Sequence, residues 1–355
     1  MIRVVVVDDS AVCRSALRET LEADGDIRVV AEAADGTAAL HVVTREKPQL
    51  VTMDLQMPGA SGFDAIEEIM AKLPVPILVV TGQSRGSSAA AFEAIRRGAL
   101  QLAEKPPPGP CPAATELRAQ VRLLAKVPVV RHVAGSRDKG LRAAAVAPIA
   151  RTAAQVSLAS MPPLVGVAAS AGGPGAIATL LGQFAASFEG CLAVVQHLPK
   201  GFAASFVDFL RTRTALRIKL VGDSAAYEPG TVFVAPDDRH LVVASKTHLR
   251  AVDSPPVGGF RPSATVLFQS MADILGPAAI GVVLSGMGTD GAEGLLRMRR
   301  QGSLTIAQDE ATSAVFGMPR AAAERGAASI VLPLSKIAEA IVSRTPSKRP
   351  NGPAP

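Results

Sequence analysis

Residues 164–175 read L-V-G-V-A-A-S-A-G-G-P-G. Leu164 to Ala168 has the apolar, β-branched texture of a short buried strand, bounded upstream by Pro163. Ser170 sits just past the strand end. Gly172 and Gly173 can adopt φ > 0 and leave backbone N–H groups uncovered. Pro174 suits the first turn of a helix, where a missing N–H costs nothing. Strand, tight turn and helix start thus follow one another. A serine is held at the carboxyl end of a strand, beside a helix N-terminus that favours negative charge. On these residues alone three readings stay open: a plain strand-to-helix turn, a phosphate cradle, and a nucleophile with donors nearby for an oxyanion.

Further along, two more polar residues follow strand-like runs. His197 follows Leu192–Gln196 in V-V-Q-H-L-P-K-G, and Asp290 follows Ile280–Leu284 in S-G-M-G-T-D-G-A. With Ser170 they place a hydroxyl, an imidazole and a carboxylate at one sheet edge. That is the chemistry of acyl transfer, because a serine hydroxyl needs a base to become nucleophilic. Competing assignments are His240 as base, Asp237 or Asp238 as acid, and Asp290 as only an N-cap for the helix from Ala292. The chain order Ser…His…Asp and Ala168 in place of an elbow glycine separate this pattern from the α/β-hydrolases. Other strand candidates after Pro162 are Ile218–Leu220, Thr231–Ala235, His240–Ala244, Leu304–Ala307 and Ser329–Leu332. Helices are expected between many of them, giving a doubly wound, mainly parallel α/β unit over 161–345. Gly230–Ala244 reads as a hairpin excursion.

The N-terminal part, residues 1–122, repeats strand and helix. Strands are expected at Arg3–Val7, Ile27–Ala31, Leu50–Asp54, Ile77–Thr81 and Leu100–Glu104. Helices are expected at Ser10–Ala23 (with Val12, Leu17 and Leu21 at helical spacing), Gly36–Glu46, Ala89–Arg97 and Thr115–Leu124. Such repeats build a doubly wound parallel sheet with its site at the carboxyl ends of the strands. Asp8 and Asp9 follow the first strand, Asp54 closes the third, Thr81 the fourth and Lys105 the fifth. Three clustered carboxylates repel unless a hard dication sits among them, and oxygen ligands suit Mg²⁺. A hydroxyl and an ammonium opposite would complete a phosphoryl site, with one carboxylate as covalent acceptor.

The 355 residues suffice for two domains and a linker, at roughly 100–200 residues per domain. Residues 123–160 mix Gly, Pro and Arg without periodicity and read as a linker. Residues 346–355 read as a disordered tail. No apolar run approaches the ~20 residues of a spanning helix. The N-terminal apolar run is too short for a signal peptide, so a cytoplasmic protein without membrane insertion is expected. Three widely spaced cysteines suggest neither disulfide framework nor metal site. The net charge of +6 lies largely in linker and tail. Together with the absence of tryptophan, a single tyrosine and no evident helix-turn-helix, this argues against nucleic acid as a partner.

V-V-D-D-S, V-T-M-D-L-Q-M-P-G, Thr81 and E-K-P resemble the receiver domain of bacterial response regulators, a flavodoxin-like (βα)5 fold. The resemblance implies Asp54 as the phosphorylated residue. It implies Asp8, Asp9 and the carbonyl of Gln56 as further Mg²⁺ ligands, and Thr81 and Lys105 as phosphoryl contacts. The switch aromatic often found in the fifth strand is here Leu102. A-S-A-G-G, Q-H-L-P, A-P-D-D-R-H-L, F-R-P-S-A-T-V-L-F, L-S-G-M-G-T-D-G-A-E-G-L, I-A-Q-D-E and F-G-M-P-R-A resemble the catalytic domain of the chemotaxis protein-glutamate methylesterases. That resemblance implies Ser170 as nucleophile, His197 as base and Asp290 as orienting acid. Met287 would line the site, and N–H groups near Met287 or Ala171 would serve as oxyanion donors. Some members carry Thr where this chain has Ala171. It further implies chemoreceptors as substrate, a chemotaxis histidine kinase as phosphodonor, release of methanol, deamidation of some receptor glutamines, and a receiver that covers the catalytic cleft until phosphorylated. No cofactor is expected for the esterase. Gly259–Thr265 and Gly201–Phe206 are candidate groove walls.

Overall fold

The computed structural model describes residues 1–57, 62–82, 85–127 and 163–344, with backbone only at 85–89. The expected linker and tail fall almost wholly outside the described residues. Each half of the chain is built on its own parallel sheet.

In the N-terminal half the strands are β1 (Ile2–Val7), β2 (Ile27–Ala33), β3 (Leu50–Met53), β4 (Ile77–Thr81) and β5 (Gln101–Glu104). The helices are α1 (Ala11–Glu22), α2 (Gly36–Glu46), α3 (Gly62–Lys72), α4 (Arg85–Arg96) and α5 (Pro112–Leu124). The sheet order is β2-β1-β3-β4-β5. It reverses direction of winding after β1, which opens a cleft above β1 and β3. Val4, Val5, Val6, Leu50 and Val51 are fully buried, the continuous apolar run of a strand covered on both faces. Ser10 caps α1 by accepting from the Cys13 N–H at 3.3 Å.

Two sequence expectations are corrected here. Helix α3 was not among the expected elements, although Ala65, Ile66, Ile69 and Met70 form its buried stripe. Val12 is 79% exposed, whereas Leu17 and Leu21 are buried. Val12 lies five positions before Leu17 rather than three or four, so it falls off the apolar stripe.

The C-terminal half contains β6 (Leu164–Ala169), α6 (Gly173–Leu181), β7 (Cys191–Gln196), α7 (Ala203–Arg211), β8 (Arg217–Leu220), β9 (Ser224–Ala226), β10 (Thr231–Val234), β11 (His240–Ser245) and β12 (His248–Val252). There follow α8 (Ala264–Leu275), β13 (Ile280–Val283), α9 (Ala292–Arg300), β14 (Leu304–Gln308), α10 (Met318–Glu324), β15 (Ile330–Leu332) and α11 (Leu334–Val342). The main sheet runs β15-β14-β13-β6-β7-β10-β8, and every pairing in it is parallel. β6 and β7 are therefore central neighbours, with β13 on the other flank of β6.

The expected Gly230–Ala244 hairpin does not form. Thr231–Val234 is buried at every residue and pairs parallel with β7 and β8. An unbroken apolar run marks an interior parallel strand rather than one arm of an exposed hairpin. Instead β11, β12 and β9 form a separate three-stranded antiparallel sheet. In β12 buried and exposed residues alternate, as a strand solvated on one face requires.

The two halves touch. Phe92 of α4 stacks on Phe206 and Phe209 of α7, with ring centroids 5.5 and 5.4 Å apart. The Gly172 N–H donates to the Leu100 carbonyl at 2.8 Å. Leu100, Ala103, Ala171 and Val315 share one apolar cluster.

Candidate active site

The Ser170 loop is pinned from several sides. The Ser170 N–H donates to the Ser285 carbonyl at 3.0 Å, and the Ser170 carbonyl accepts from the Gly173 N–H at 2.8 Å. Gly172 sits at φ 72, a conformation that disfavours side chains, and its missing Cβ would meet Ala314 and Ser285. Ser285 ties this loop to the next. Its hydroxyl donates to the Ala171 carbonyl at 2.8 Å and accepts from the Val315 N–H at 2.9 Å. Ser170 itself is 5% exposed.

β6 and β7 pair up to Ala169 and Gln196, so Ser170 and His197 are the next residues beyond that last pair. The His197 N–H donates to the Ala169 carbonyl at 3.1 Å. The ring lies flat against Phe260, with centroids 4.0 Å apart and planes 5° from parallel. Nε2 of His197 is 2.9 Å from Asp290 Oδ2. Nδ1 is buried without a hydrogen-bond partner. The structure thus joins His197 to Asp290, brings Ser170 to the neighbouring strand end, and leaves no hydrogen bond from Ser170 to the ring. A buried polar atom without a partner costs about 1–3 kcal/mol, which marks Nδ1 as the atom awaiting one.

Asp290 does not cap its own helix, since the N-cap of α9 is Gly291 without a side-chain bond. Its carboxylate lies across the N-terminus of α8. It accepts from Ser263 Oγ at 2.7 Å, from the Ala264 and Thr265 N–H groups at 2.7 and 3.0 Å, and from the Gly291 N–H at 2.9 Å. Burial alone would raise its pKa. The hydrogen bond and charge of His197, with the bonds from Ser263 and Ala264, outweigh that and hold the carboxyl well below the usual range. It is an anion fixed in one orientation against the imidazole.

The competitors are otherwise engaged. His240 is fully buried, accepts from the Ser263 N–H through Nδ1 at 3.1 Å, and reaches the Pro255 carbonyl through Nε2 at 3.0 Å. Its role is to fix the loop that leads into α8. Asp237 accepts from the Ala203 N–H, and Asp238 pairs with Lys200 and Arg261. Of the expected groove walls, Phe260, Ser263 and Thr265 belong to the site, whereas Phe206 is buried against Phe92. Met287 and Ala171 lie at the contact with the N-terminal half.

In that half, Asp8, Asp9 and Asp54 each offer a carboxylate oxygen within 4.8 Å of the others. Lys105 Nζ is 2.8 Å from Asp8 Oδ2 and 2.7 Å from Asp54 Oδ2. Burial would lower the Lys105 pKa, but its bonds to Asp54 and Asp8 raise it above the ordinary lysine value. Asp54 Oδ1 accepts from the Leu55 and Gln56 N–H groups at 2.7 and 3.3 Å. Thr81 is buried at the end of β4, the strand beside β3. Three carboxylates gathered this closely, with only the Lys105 ammonium paired to two of them, form an all-oxygen donor set that fits a small hard dication. Leu102 is a buried core residue.

The family model for the response regulator receiver domain matches residues 4–110, and that for CheB methylesterase matches residues 165–341. A protein-glutamate methylesterase/protein-glutamine glutaminase of Anaeromyxobacter dehalogenans is 42% identical over 348 residues, 96% of each chain. One so named from Pyrococcus abyssi is 34% identical over 96% of this chain and 93% of its own. The Thermotoga maritima CheB methylesterase catalytic domain superposes with a TM-score of 0.50 at 32% identity, covering 52% of this chain and 99% of that one. The chain belongs to the CheB methylesterase family.

Within this CheB methylesterase fold, sequence reasoning gave Phe260, Ser263 and Thr265 only as part of a groove wall, without their contacts to His197 and Asp290, and passed over Ser285 and Gln196. All lie in motifs quoted above, Gln196 in Q-H-L-P, Phe260, Ser263 and Thr265 in F-R-P-S-A-T-V-L-F, and Ser285 in L-S-G-M-G-T-D-G-A-E-G-L. Their contacts depend on how α8 and β7 are brought together, which no spacing within one motif reveals. Among the described residues no helix is long and apolar enough to cross a membrane.

Proposed function

We propose that the chain is a phosphorylation-activated hydrolase that removes methyl groups from glutamate γ-methyl esters on chemoreceptors and deamidates particular receptor glutamines. It would serve adaptation in a cytoplasmic two-component chemotaxis pathway. The observation that carries this reading is the buried His197–Asp290 pair, whose unpartnered Nδ1 belongs to the residue directly across from Ser170 at the strand ends.

In the proposed reaction Nδ1 takes the Ser170 proton as Oγ attacks the γ-carbonyl. Asp290 stabilises the imidazolium without itself taking the proton. The N–H of Ala171 or of Met287 would receive the oxyanion, helped by the N-terminus of α6 nearby. Collapse of the tetrahedral adduct breaks the C–O bond, and the imidazolium gives its proton to departing methanol. Water then attacks the acyl-serine as Nδ1 takes its proton, the C–O bond to Ser170 breaks, and the imidazolium returns that proton to Oγ as glutamate is released. With a glutamine the same steps release ammonia, and protonation of the nitrogen becomes essential because amide is the poorer leaving group.

For the receiver we propose Asp54 as the phosphoryl acceptor and a chemotaxis histidine kinase as donor. Asp8, Asp9, Asp54 and the Gln56 carbonyl would hold Mg²⁺, which when bound offsets the charge of the incoming phosphoryl group. Thr81 and Lys105 would contact that group. The Leu100–Gly172 bond and the Phe92 stack support a receiver that restrains the nucleophile loop until phosphorylation loosens it. Because Leu102 is aliphatic, this switch does not run through an aromatic rotamer there.

The test is methanol release from methylated receptor membranes, with and without a small phosphodonor. Wild type should release methanol and accelerate with phosphodonor. Asp54→Asn should keep the basal rate and lose the acceleration. Acceleration that persists in that variant refutes the acceptor, and release that persists in Ser170→Ala refutes the nucleophile.

A further inference from the structure

The carboxamide of Gln196 bridges the two residues that the proposed reaction brings together. Its Nε2 donates to the Ser170 carbonyl at 2.8 Å and to the His197 carbonyl at 3.0 Å. Both partners are acceptors, so the amide orientation is forced. Its Oε1 is then left buried without a hydrogen-bond partner. Gln196 is 4% exposed, and a Cβ on Gly173 would overlap that Oε1. The side chain therefore fills its space completely, and a polar atom remains unmet inside the protein. Packing alone is served as well by Met or Leu, neither of which leaves such an atom. What an apolar side chain cannot do is hold two carbonyls of adjacent strand ends to one nitrogen.

We infer that Gln196 is a positioning residue that fixes the spacing between the Ser170 and His197 main chains, and so the approach of Oγ to Nδ1. The inference rests on the reading of Ser170 and His197 as the reacting pair. It also assigns the function of Gly173. A glycine there makes room for the carboxamide, which lies against the first turn of α6.

The experiment uses the full chain with a fluorophosphonate probe, which labels an activated serine, alongside methanol release as a function of pH. Gln196→Met should fold with a cooperative thermal transition but label about ten- to a hundredfold more slowly, the scale of a misplacement of about 1 Å. The loss should fall on kcat, with KM nearly unchanged. Gln196→Glu is isosteric. Its carboxylate faces two carbonyls, whereas its protonated form regains one O–H donor. Its rate relative to wild type should therefore rise as pH falls, which a packing defect would not produce. Gly173→Ala should reproduce the slow labelling by displacing the carboxamide. Wild-type labelling at Ser170 with unchanged rates in folded Gln196→Met and Gln196→Glu overturns the inference alone. A flat ratio of Gln196→Glu to wild type across pH also overturns it. Absence of wild-type labelling, with hydrolysis retained by Ser170→Ala, overturns the reading of the pair and the inference with it.

Discussion

Asp54 and Asp290 are both buried carboxylates near the carboxyl ends of parallel strands, yet their surroundings differ in kind. Asp290 accepts four hydrogen bonds from Ser263 and three backbone N–H groups, and pairs with one imidazole. Both its oxygens are engaged by groups of the fold itself. Asp54 has two backbone donors on one oxygen, a lysine on the other, and two further carboxylates close by. Its charge is left for something that arrives. The same position in a parallel fold thus gives a fully bonded anion against an imidazole, or an anion gathered with other carboxylates and a lysine, and the roles proposed for the two follow that difference. The number of donors built into the loops decides which.

This contrast can be broken most sharply at Ser170. Ser170→Ala should lower methanol release by at least about 10³-fold and leave uptake of radiolabelled phosphoryl groups by Asp54 unchanged. Coupled loss of both would show that the two sites are not separable. Asp8→Asn should weaken Mg²⁺ binding by about tenfold or more by isothermal titration calorimetry, with unaltered basal hydrolysis. Phe92→Ala should raise basal hydrolysis about two- to tenfold, the shift that the 0.5–1.5 kcal/mol of an aromatic pair produces. An unchanged basal rate would separate the interface from restraint of the site.

The smallest effect is a pH dependence. The folded Asp290 carboxyl ionises below its unfolded value of about 3.8. Its contribution to stability is therefore complete above that value and fades as pH falls toward the lower folded pKa. Urea unfolding midpoints of wild type and Asp290→Asn should differ at about pH 7 and converge below about pH 4. A gap that widens in acid would contradict the anion assigned here.

Much of this was legible in the sequence because both sites sit where strands stop. V-V-V-V-D-D-S and V-T-M-D announce a buried strand and then its polar end, and the same holds for A-A-S and V-V-Q-H. Both parallel sheets followed from that pattern. Contacts that close over a site from another element were not legible. Phe260 reaches His197 because a turn folds back between Val257 and Phe260, and Ser263 reaches Asp290 because α8 starts there. Helix α3 had a readable stripe at Ala65, Ile66, Ile69 and Met70, and was missed because the sequence P-G-A-S just before it reads as a break. Thr231–Val234 misled because chain neighbours were assumed to pair, whereas its burial demanded the interior of the main sheet.

The stacking of Phe92 on Phe206 and Phe209 joins two parts of one polypeptide, and that fact sets how strong the contact must be. A tethered partner is present at an effective concentration of the order of millimolar, whatever the abundance of the protein. A contact of modest affinity therefore stays closed on dilution. It also stays within reach of the few kcal/mol that one covalent modification can supply. Severing the chain between Val127 and Pro163 would turn this contact into an ordinary bimolecular equilibrium, and under the proposed restraint the hydrolytic rate would then vary with how much of the N-terminal fragment is added back.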